Sequence, residues 1–520
     1  MADGWVGVDF GTATTLVAAQ SPVGGVAVLP LGHATAWLPS VAALAGADVI
    51  VGEAAEDVAT GQLRSVKRAI TERREQLTVT GPDGPREVAA DEVIAAILRE
   101  VCQRAERVGL PLTSRRSVRL GCPAMWDGDQ RRRLIDVATS VGLDLDDSAL
   151  IDEPVGAGLA WLGHRFLAHG ERPAGRLLVF DMGGGTVDAA VAQIEGGPSP
   201  RVRVLASVGA QLAGDALDSE IARDLADEMA EHRIDIAWHP QPELAWALLE
   251  RAGRQAKVRL SQVTEHPVVL PPALAYPQVI RYRRDQLDLA FASMLDAAES
   301  LIIAALRAAR MADGEVSTRQ VRGVDRADLI RDVDVVLLVG GMSRVPSLRR
   351  RLGELFVHAQ ISDDVGVPAD QAVVAGLAQA DGYERIELPR PACDFVLDLP
   401  GGAQRTVLYP AHTPLYQSWQ VYNGYSSLGY ERRLAAAVLP AGGVGLVRAV
   451  APGGSAVPLL VDGVAQDGLP VRGGPGELVF EISCDTHLRL TDGAGHTRSY
   501  RLDGWPAMRP GQSLRLRQVR

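Results

Sequence analysis

Apolar positions recur at three- and four-residue spacing over Asp91–Val108, Asp129–Val141, Ala216–Glu231, Leu287–Ala312 and Val345–Phe356. That period predicts amphipathic helices. Short apolar runs precede several of them, at Ser117–Gly121, Leu177–Phe180 and Asp334–Val339, and predict buried strands. Strands alternating with helices mean an α/β fold. The texture changes near residue 383. Pro389 and Pro391 break the chain, Phe395-Val-Leu-Asp-Leu399 follows, and helical spacing largely stops. Beyond it, runs such as Arg405–Tyr409, Glu477–Ile482 and His487–Leu490 are divided by Gly-Gly, Asp-Gly and Pro-Gly pairs, which predicts a β domain.

Two segments share one pattern. Trp5-Val-Gly-Val-Asp-Phe-Gly-Thr-Ala-Thr-Thr-Leu-Val-Ala-Ala19 and Leu177-Leu-Val-Phe-Asp-Met-Gly-Gly-Gly-Thr-Val-Asp-Ala-Ala-Val191 each read strand, Asp, glycine turn with Thr, strand. Each predicts a hairpin, and the repeat predicts two related lobes.

Bulk properties narrow the picture. A chain of 520 residues has room for two or more domains. A net charge of −11 argues against general nucleic-acid affinity. Cys102, Cys122, Cys393 and Cys484 are scattered, which indicates neither a zinc site nor a disulfide framework and fits a reducing cytoplasm. No basic and then apolar leader is visible at the N-terminus, and the longest uncharged apolar stretch, Ala34–Ala47, contains Pro39 and is too short for a bilayer. The expectation is a soluble cytoplasmic protein with no membrane or nucleic-acid partner.

The chemistry concentrates at three places. In Asp9-Phe-Gly-Thr12, a turn offering N–H groups and a hydroxyl suits phosphate oxygens, and the Asp suits a water of Mg²⁺; a plain hairpin turn is the alternative. Asp181-Met-Gly-Gly-Gly-Thr186 is sharper, because three glycines in an apolar hairpin are costly unless the backbone must approach a ligand. Thr186 is placed to orient a water, and Asp181 to face Asp9 across the ion. Asp188 is either a support of the metal site or a turn residue. In Val336-Leu-Leu-Val-Gly-Gly-Met-Ser-Arg344, a strand ends on Gly340-Gly341, suited to pass under a nucleotide, with Arg344 suited to stack on its base.

The order and spacing of these three segments resemble the phosphate-1, phosphate-2 and adenosine motifs of the actin-like ATPase superfamily. Ile151-Asp-Glu-Pro-Val-Gly-Ala-Gly-Leu-Ala160 and Pro368-Ala-Asp-Gln-Ala-Val-Val-Ala-Gly376 resemble its two connecting helices. The match is nearest to the DnaK-type heat-shock chaperones, the heat shock protein 70 family. Val66-Lys67-Arg68, Pro123-Ala124, Asp152-Glu153-Pro154, Leu212-Ala-Gly-Asp-Ala-Leu-Asp218 and Ala256-Lys-Val-Arg-Leu-Ser261 stand where that family has its corresponding motifs, over residues 5–382. Three positions depart: Met342 replaces a Ser, Val258 a base-stacking Arg, and Gly253-Arg254-Gln255 the segment with a Glu. They alter the adenosine half more than the phosphate half. In the β part, Cys393–Leu399 resembles the family linker and first strand, and Thr406–Pro414 and Leu469–Ile482 resemble parts of its peptide-binding sandwich.

The resemblance implies a two-lobed actin-like ATPase of duplicated ribonuclease-H-like fold over 1–382, a linker over 383–393, and a β-rich substrate-binding-like domain over 394–520 without a helical lid. It implies ATP or ADP with Mg²⁺. Lys67, Glu153, Asp181 and Thr186 would be catalytic, and Asp9, Asp181 and Glu153 would hold the metal. Gly11, Thr12, Ala13, Gly183, Gly184, Gly185, Thr186 and Gly209 would contact the phosphate side. Lys257, Ser261, Gly340, Gly341, Arg344 and Asp370 would contact the adenosine side. Turnover would be slow and would move the linker around Phe395–Leu399 on or off the lobes. Unfolded peptide or one dedicated partner would bind the β domain, with co-chaperones as further partners. Tyr422, Tyr425 and Tyr430 are either core or a binding face. An actin-like filament or scaffold protein and a small-molecule kinase of the same superfamily are the alternatives.

Overall fold

A computed structural model describes residues 4–519 apart from 22–24, 46–47, 59–60, 82–83, 114–117, 144, 146–148, 198–200, 213, 277–278, 315, 317–319, 380–385, 388, 400–404, 424–427, 452–453 and 503–512. Lobe I carries strands β1 (Val6–Phe10) and β2 (Thr14–Gln20), helix α1 (Ala90–Arg107), strand β3 (Val118–Cys122), helix α2 (Gly128–Ser140), strand β4 (Leu150–Asp152) and helix α3 (Glu153–Gly163). Lobe II carries β5 (Gly175–Met182), β6 (Val187–Glu195), β7 (Arg201–Ala210), α4 (Gly214–Glu231), α5 (Pro242–Leu260), α6 (Arg284–Ala312), β8 (Val335–Val339), α7 (Pro346–Leu355), β9 (Gln360–Ser362) and α8 (Ala372–Leu377).

The two lobes repeat one topology. In lobe I the path β2-β1-β3-β4 has an antiparallel hairpin followed by two parallel pairings. In lobe II the path β7-β6-β5-β8-β9 has two antiparallel pairings followed by two parallel ones. Central strands of such sheets are covered on both faces and read as continuous apolar runs; β5 and β6 are buried along most of their length. The connecting helices α3 and α8 cross between the sheets. A Cβ at Gly376 would lie 1.7 Å from the carbonyl oxygen of Gly156, so the crossing requires a residue with no side chain.

Helix ends follow local chemistry. Asp127 caps α2 by accepting from Asp129 and Gln130 N–H, while the Gln130 side chain accepts from Asp127 N–H. Helix α5 was not foreseen. Its buried stripe is Ala245, Leu249, Ala252, Gly253, Ala256, Lys257 and Leu260, too small-sided to stand out as apolar. Helix α6 is long and apolar enough to pass for a membrane span, yet 56% of that window is buried inside lobe II.

The C-terminal part is a β domain with its own core around Phe395, Tyr409, Phe480 and Leu488. Strands β10 (Asp394–Asp398), β11 (Arg405–Tyr409), β12 (Gly429–Leu434), β13 (Val444–Val450), β14 (Leu469–Arg472) and β15 (Leu478–Ser483) contribute to two sheets. This is the expected β domain with one correction. Phe395 and Leu397 are at the centre of the sandwich, on a strand paired on both sides, so Phe395–Leu399 is not a mobile linker. The segment that touches the lobes lies upstream. Ile386–Glu387 pairs in parallel with the Val202–Arg203 end of β7, and Arg390 is buried between the parts. A short helix, α9 (Ser418–Tyr422), leaves the sandwich and packs on α6. Tyr430 meets Tyr409 edge-on at 5.1 Å in the β domain. Tyr425 and the Tyr422 side chain lie outside the described residues.

Candidate active site

Both glycine hairpins close in the same way. The N–H of Gly11 donates to the Thr14 carbonyl at 3.0 Å, and the N–H of Gly183 donates to the Thr186 carbonyl at 3.0 Å. The turns face each other across the cleft. A Cβ at Gly185 would sit 2.6 Å from Thr12 Oγ1, and one at Gly184 would sit 3.5 Å from Ala13 Cβ. The repeat therefore brings Gly11, Thr12, Ala13, Gly183, Gly184, Gly185 and Thr186 to one place.

Acidic side chains gather beneath the turns. Asp9 is the one half-buried residue of β1, between buried Val8 and Phe10, and Glu153 begins α3. Asp181 and Asp188 stand directly opposite each other across β5 and β6. Facing like charges destabilise a strand pair. Burial, and then Glu153, push the Asp9 carboxyl up to about 7 and the Asp188 carboxyl up to about 8. Burial, Glu153, Asp188 and Asp9 hold Asp181 well above the ordinary carboxylate range. Asp188 also accepts from Ala124 N–H at 2.9 Å and from the Thr186 hydroxyl. Gly209 backs it, since a Cβ there would lie 2.3 Å from Asp188 Oδ1.

Lys67 is the nearby cation. It is 3% exposed, pairs with Glu153, and lies 5.6 Å over the Trp126 ring. Burial alone would lower its pKa, but Glu153 and Asp9 outweigh burial and hold it raised. With all four carboxyls ionised, one ammonium would leave negative charge in excess, and the raised pKa values of Asp9, Asp181 and Asp188 reflect that missing counter-charge together with burial. Oxygen donors with that surplus fit a hard cation such as Mg²⁺. Among the described residues no three His, Cys, Asp or Glu converge as direct metal ligands.

The residues expected on the adenosine side are more self-satisfied. Gly340 has φ of 81° at the end of β8, and a Cβ there would lie 2.3 Å from Asp181 Oδ1, which ties this turn to the acidic cluster. A Cβ at Gly341 would meet nothing within 4 Å, so its face is open. Lys257 donates to the Gly214 carbonyl at 2.8 Å and pairs with Asp218 at 2.6 Å; Arg254 pairs with the same Asp218 at 2.9 Å. Arg344 pairs with Asp370 at 2.8 Å. Ser261 is not brought to the cleft chemistry by its hydroxyl, which bonds back to the Lys257 carbonyl at 3.1 Å. Met342 is buried against this region, and Val258 is 57% exposed.

One cluster went unread in the sequence. Asp152, next to Glu153, is buried and accepts from Arg131 at 2.6 Å, from Arg390 at 2.5 and 2.6 Å, and from the Ser207 hydroxyl at 2.7 Å. Burial pushes its carboxyl up, but Arg390 and Arg131 more than offset this and hold it at about 2. Its only sequence signals are an Asp ahead of Glu153-Pro154 and an Arg between two prolines at 389 and 391.

Two lobes of one topology, joined by crossing helices and carrying paired glycine turns over an acidic floor, are matched by a family model described as "Hsp70 protein" over residues 5–383. The chain belongs to the Hsp70 family. The architecture is accordingly the family's two-lobed actin-like ATPase fold followed by a C-terminal β domain. Among curated relatives of this Hsp70-family chain, "Chaperone protein DnaK" of Thermotoga neapolitana is 26% identical over 430 residues, covering 79% of the chain and 66% of that protein. "Chaperone protein DnaK" of Thermus thermophilus is 26% identical over 444 residues, with coverage of 79% and 66%. The chain thus spans 66% of the length of these two relatives.

Proposed function

We propose that this Hsp70-family chain is a chaperone-like ATPase. It binds ATP with Mg²⁺ between the lobes, hydrolyses it slowly, and couples nucleotide state to peptide or partner binding by the β domain. The observation that carries this reading is the surplus of buried carboxylate beneath two facing glycine turns, with one buried lysine between the lobes. A bound Mg²⁺ supplies positive charge to the phosphate oxygens. Asp9, Asp181 and Glu153 would hold it, and Asp188 would add negative field once ionised. Backbone N–H groups of the two turns, with Thr12 and Thr186, position phosphate oxygens. Lys67 places its ammonium on the developing negative charge, and Thr186 orients the attacking water. Phosphoryl transfer needs little beyond such positioning and charge stabilisation.

On the nucleoside side, Lys257, Gly340, Gly341 and the Arg344–Asp370 pair form the wall, with Arg254 and Val258 in the places that resemblance assigns to Glu and Arg. Residues 1–382 act as the ATPase unit, 383–393 as the connection and 394–520 as the binding unit, in a cytoplasmic setting with co-chaperones as partners. Phosphate release, measured with and without an unfolded peptide, tests the reading. Stimulation by peptide is expected. Wild-type turnover retained by both Lys67→Ala and Asp181→Asn would overturn it.

A further inference from the structure

Helix α3 runs on into a five-residue π turn, His164–Ala168, with His169 as its cap. Such turns close i→i+5 bonds and occur mostly as short inserts, often at functional sites. In an α-helix of about 3.6 residues per turn, side chains five apart face different ways. The wider π turn brings them over one another. His164 and His169 are five apart, and their Nε2 atoms lie 3.1 Å from each other. The rings stand at 84° with centroids 4.6 Å apart, closer than an in-line N–H···N bond of that length would hold them, so they are bent off the N···N line. Two imidazoles that share one metal ion at about 2.0–2.1 Å, on neighbouring corners of its coordination sphere, put their nitrogens about 3 Å apart.

A second segment completes the cluster. Gly366 has φ of 78°, and a Cβ there would lie 2.5 Å from His164 Nδ1, so the backbone of the 363–367 loop lies against the Nδ1 edge of the ring and leaves the Nε2 edge to face His169. The same loop supplies Asp364. Its Oδ1 is 3.1 Å from His164 Nε2 and accepts from Gly366 N–H at 3.4 Å. His164 Nε2 carries at most one proton. It cannot both accept from His169 and donate to Asp364, so a proton leaves one of the two contacts unmade. A cation in its place would meet both nitrogens and the oxygen. Asp364 is not held beforehand as a third ligand; its side chain is 56% exposed and can turn onto an ion that the imidazoles bind first. Arg165 stands beside the cluster, 3.7 Å from Asp364 Oδ2 and 3.2 Å from Glu171, so two carboxylates face one guanidinium.

We propose that His164 and His169 form a site for one divalent transition-metal ion of the kind imidazole prefers, Ni²⁺ or Zn²⁺, with Asp364 turning in beside them and water completing the shell. The bound ion ties the end of α3 to the loop that leads into α8, the two helices that cross between the lobes. The site is separate from the acidic cluster beneath the glycine turns, whose oxygen donors suit a hard ion, and it stands whether or not the cleft binds ATP.

Isothermal titration of the tag-free full chain with Ni²⁺ or Zn²⁺ tests it, in millimolar Mg²⁺ so that hard-oxygen sites are already contested. One equivalent is expected to bind with a Kd below about 10 µM. His164→Gln and His169→Gln are each expected to weaken that equivalent more than about 100-fold, and Asp364→Asn about tenfold, as for loss of a supporting partner. His169 is exposed, so its variant keeps the test open should His164→Gln not fold; melting in EDTA reports the folding of both. Ni²⁺ should raise the melting temperature of wild type and not of the histidine variants, since only a protein that binds the ion gains from it. No equivalent tighter than about 10 µM, or one that survives both histidine variants, would sink the proposal. Loss in one variant with none in the other would sink it too, as that leaves a single surface histidine and no shared ion.

Discussion

Asp152→Asn keeps the shape of the side chain and removes its charge, leaving the buried Arg131 and Arg390 with one neutral carbonyl. The cost can be worked in two ways. The carboxyl is held at about 2 against an ordinary 3.8, and at about 1.4 kcal/mol per unit the ionised form is favoured by about 2–3 kcal/mol. Breaking a buried ion pair from one side costs about 3–5 kcal/mol. The expected loss of stability at pH 7 is therefore about 2–4 kcal/mol. A carboxyl whose folded pKa lies below its unfolded value contributes fully above the unfolded pKa and loses its contribution as pH falls through the folded one. The gap between wild type and variant should be flat from about pH 5 to 8 and shrink between about pH 4 and 2. Urea unfolding followed by tryptophan fluorescence at pH 7 and at pH 3 measures it. Asp152→Asn/Arg390→Gln should recover part of the loss, with a coupling of about 1–3 kcal/mol. A gap below about 0.5 kcal/mol at pH 7, or one that widens at pH 3, would refute the reasoning.

Three further outcomes follow from the same geometry. Lys67→Ala should lower phosphate release by about 10²–10³-fold with a smaller change in nucleotide affinity, as for removal of one preorganised charge donor; equal loss in both would assign Lys67 to binding alone. Asp188→Asn should stabilise the nucleotide-free protein by a gain that grows from about pH 4 to about pH 8, because a carboxyl raised to about 8 in the fold costs stability across that window; thermal melts in EDTA check it, and a pH-independent gain contradicts it. Gly376→Ala should lower stability by more than about 3 kcal/mol or force the connecting helices apart, since its methyl would fall 1.7 Å from Gly156 O; an unchanged melting temperature removes the close crossing.

The two glycine turns were legible as hairpins because their signal is local. A strand, an Asp and unneeded glycines lie within a dozen residues, and the second copy confirms the first. Lys67 and Glu153 were legible only through resemblance, as a lone Lys and a helix-start Glu carry no message alone; the fold brings them together across 86 positions. The Asp152–Arg390 contact spans 238 positions and could not be read from either end. Helix α5 was hidden because Ala and Gly make a buried face without looking apolar. Phe395–Leu399 was misread because an apolar run flanked by Asp suits a docking linker and a sandwich strand equally well; pairing on both sides decides for the strand.

The pairing of Ile386–Glu387 with the end of β7 bears on solubility. An open strand edge is a template on which another chain can add. Lobe II ends its sheet at β7, and the short strand before the β domain covers that edge at Val202 and Arg203. Cutting the chain ahead of residue 386 would bare hydrogen-bonding groups that the intact protein keeps occupied. An isolated two-lobed fragment should then self-associate with rising concentration, while one that retains the segment should stay dispersed.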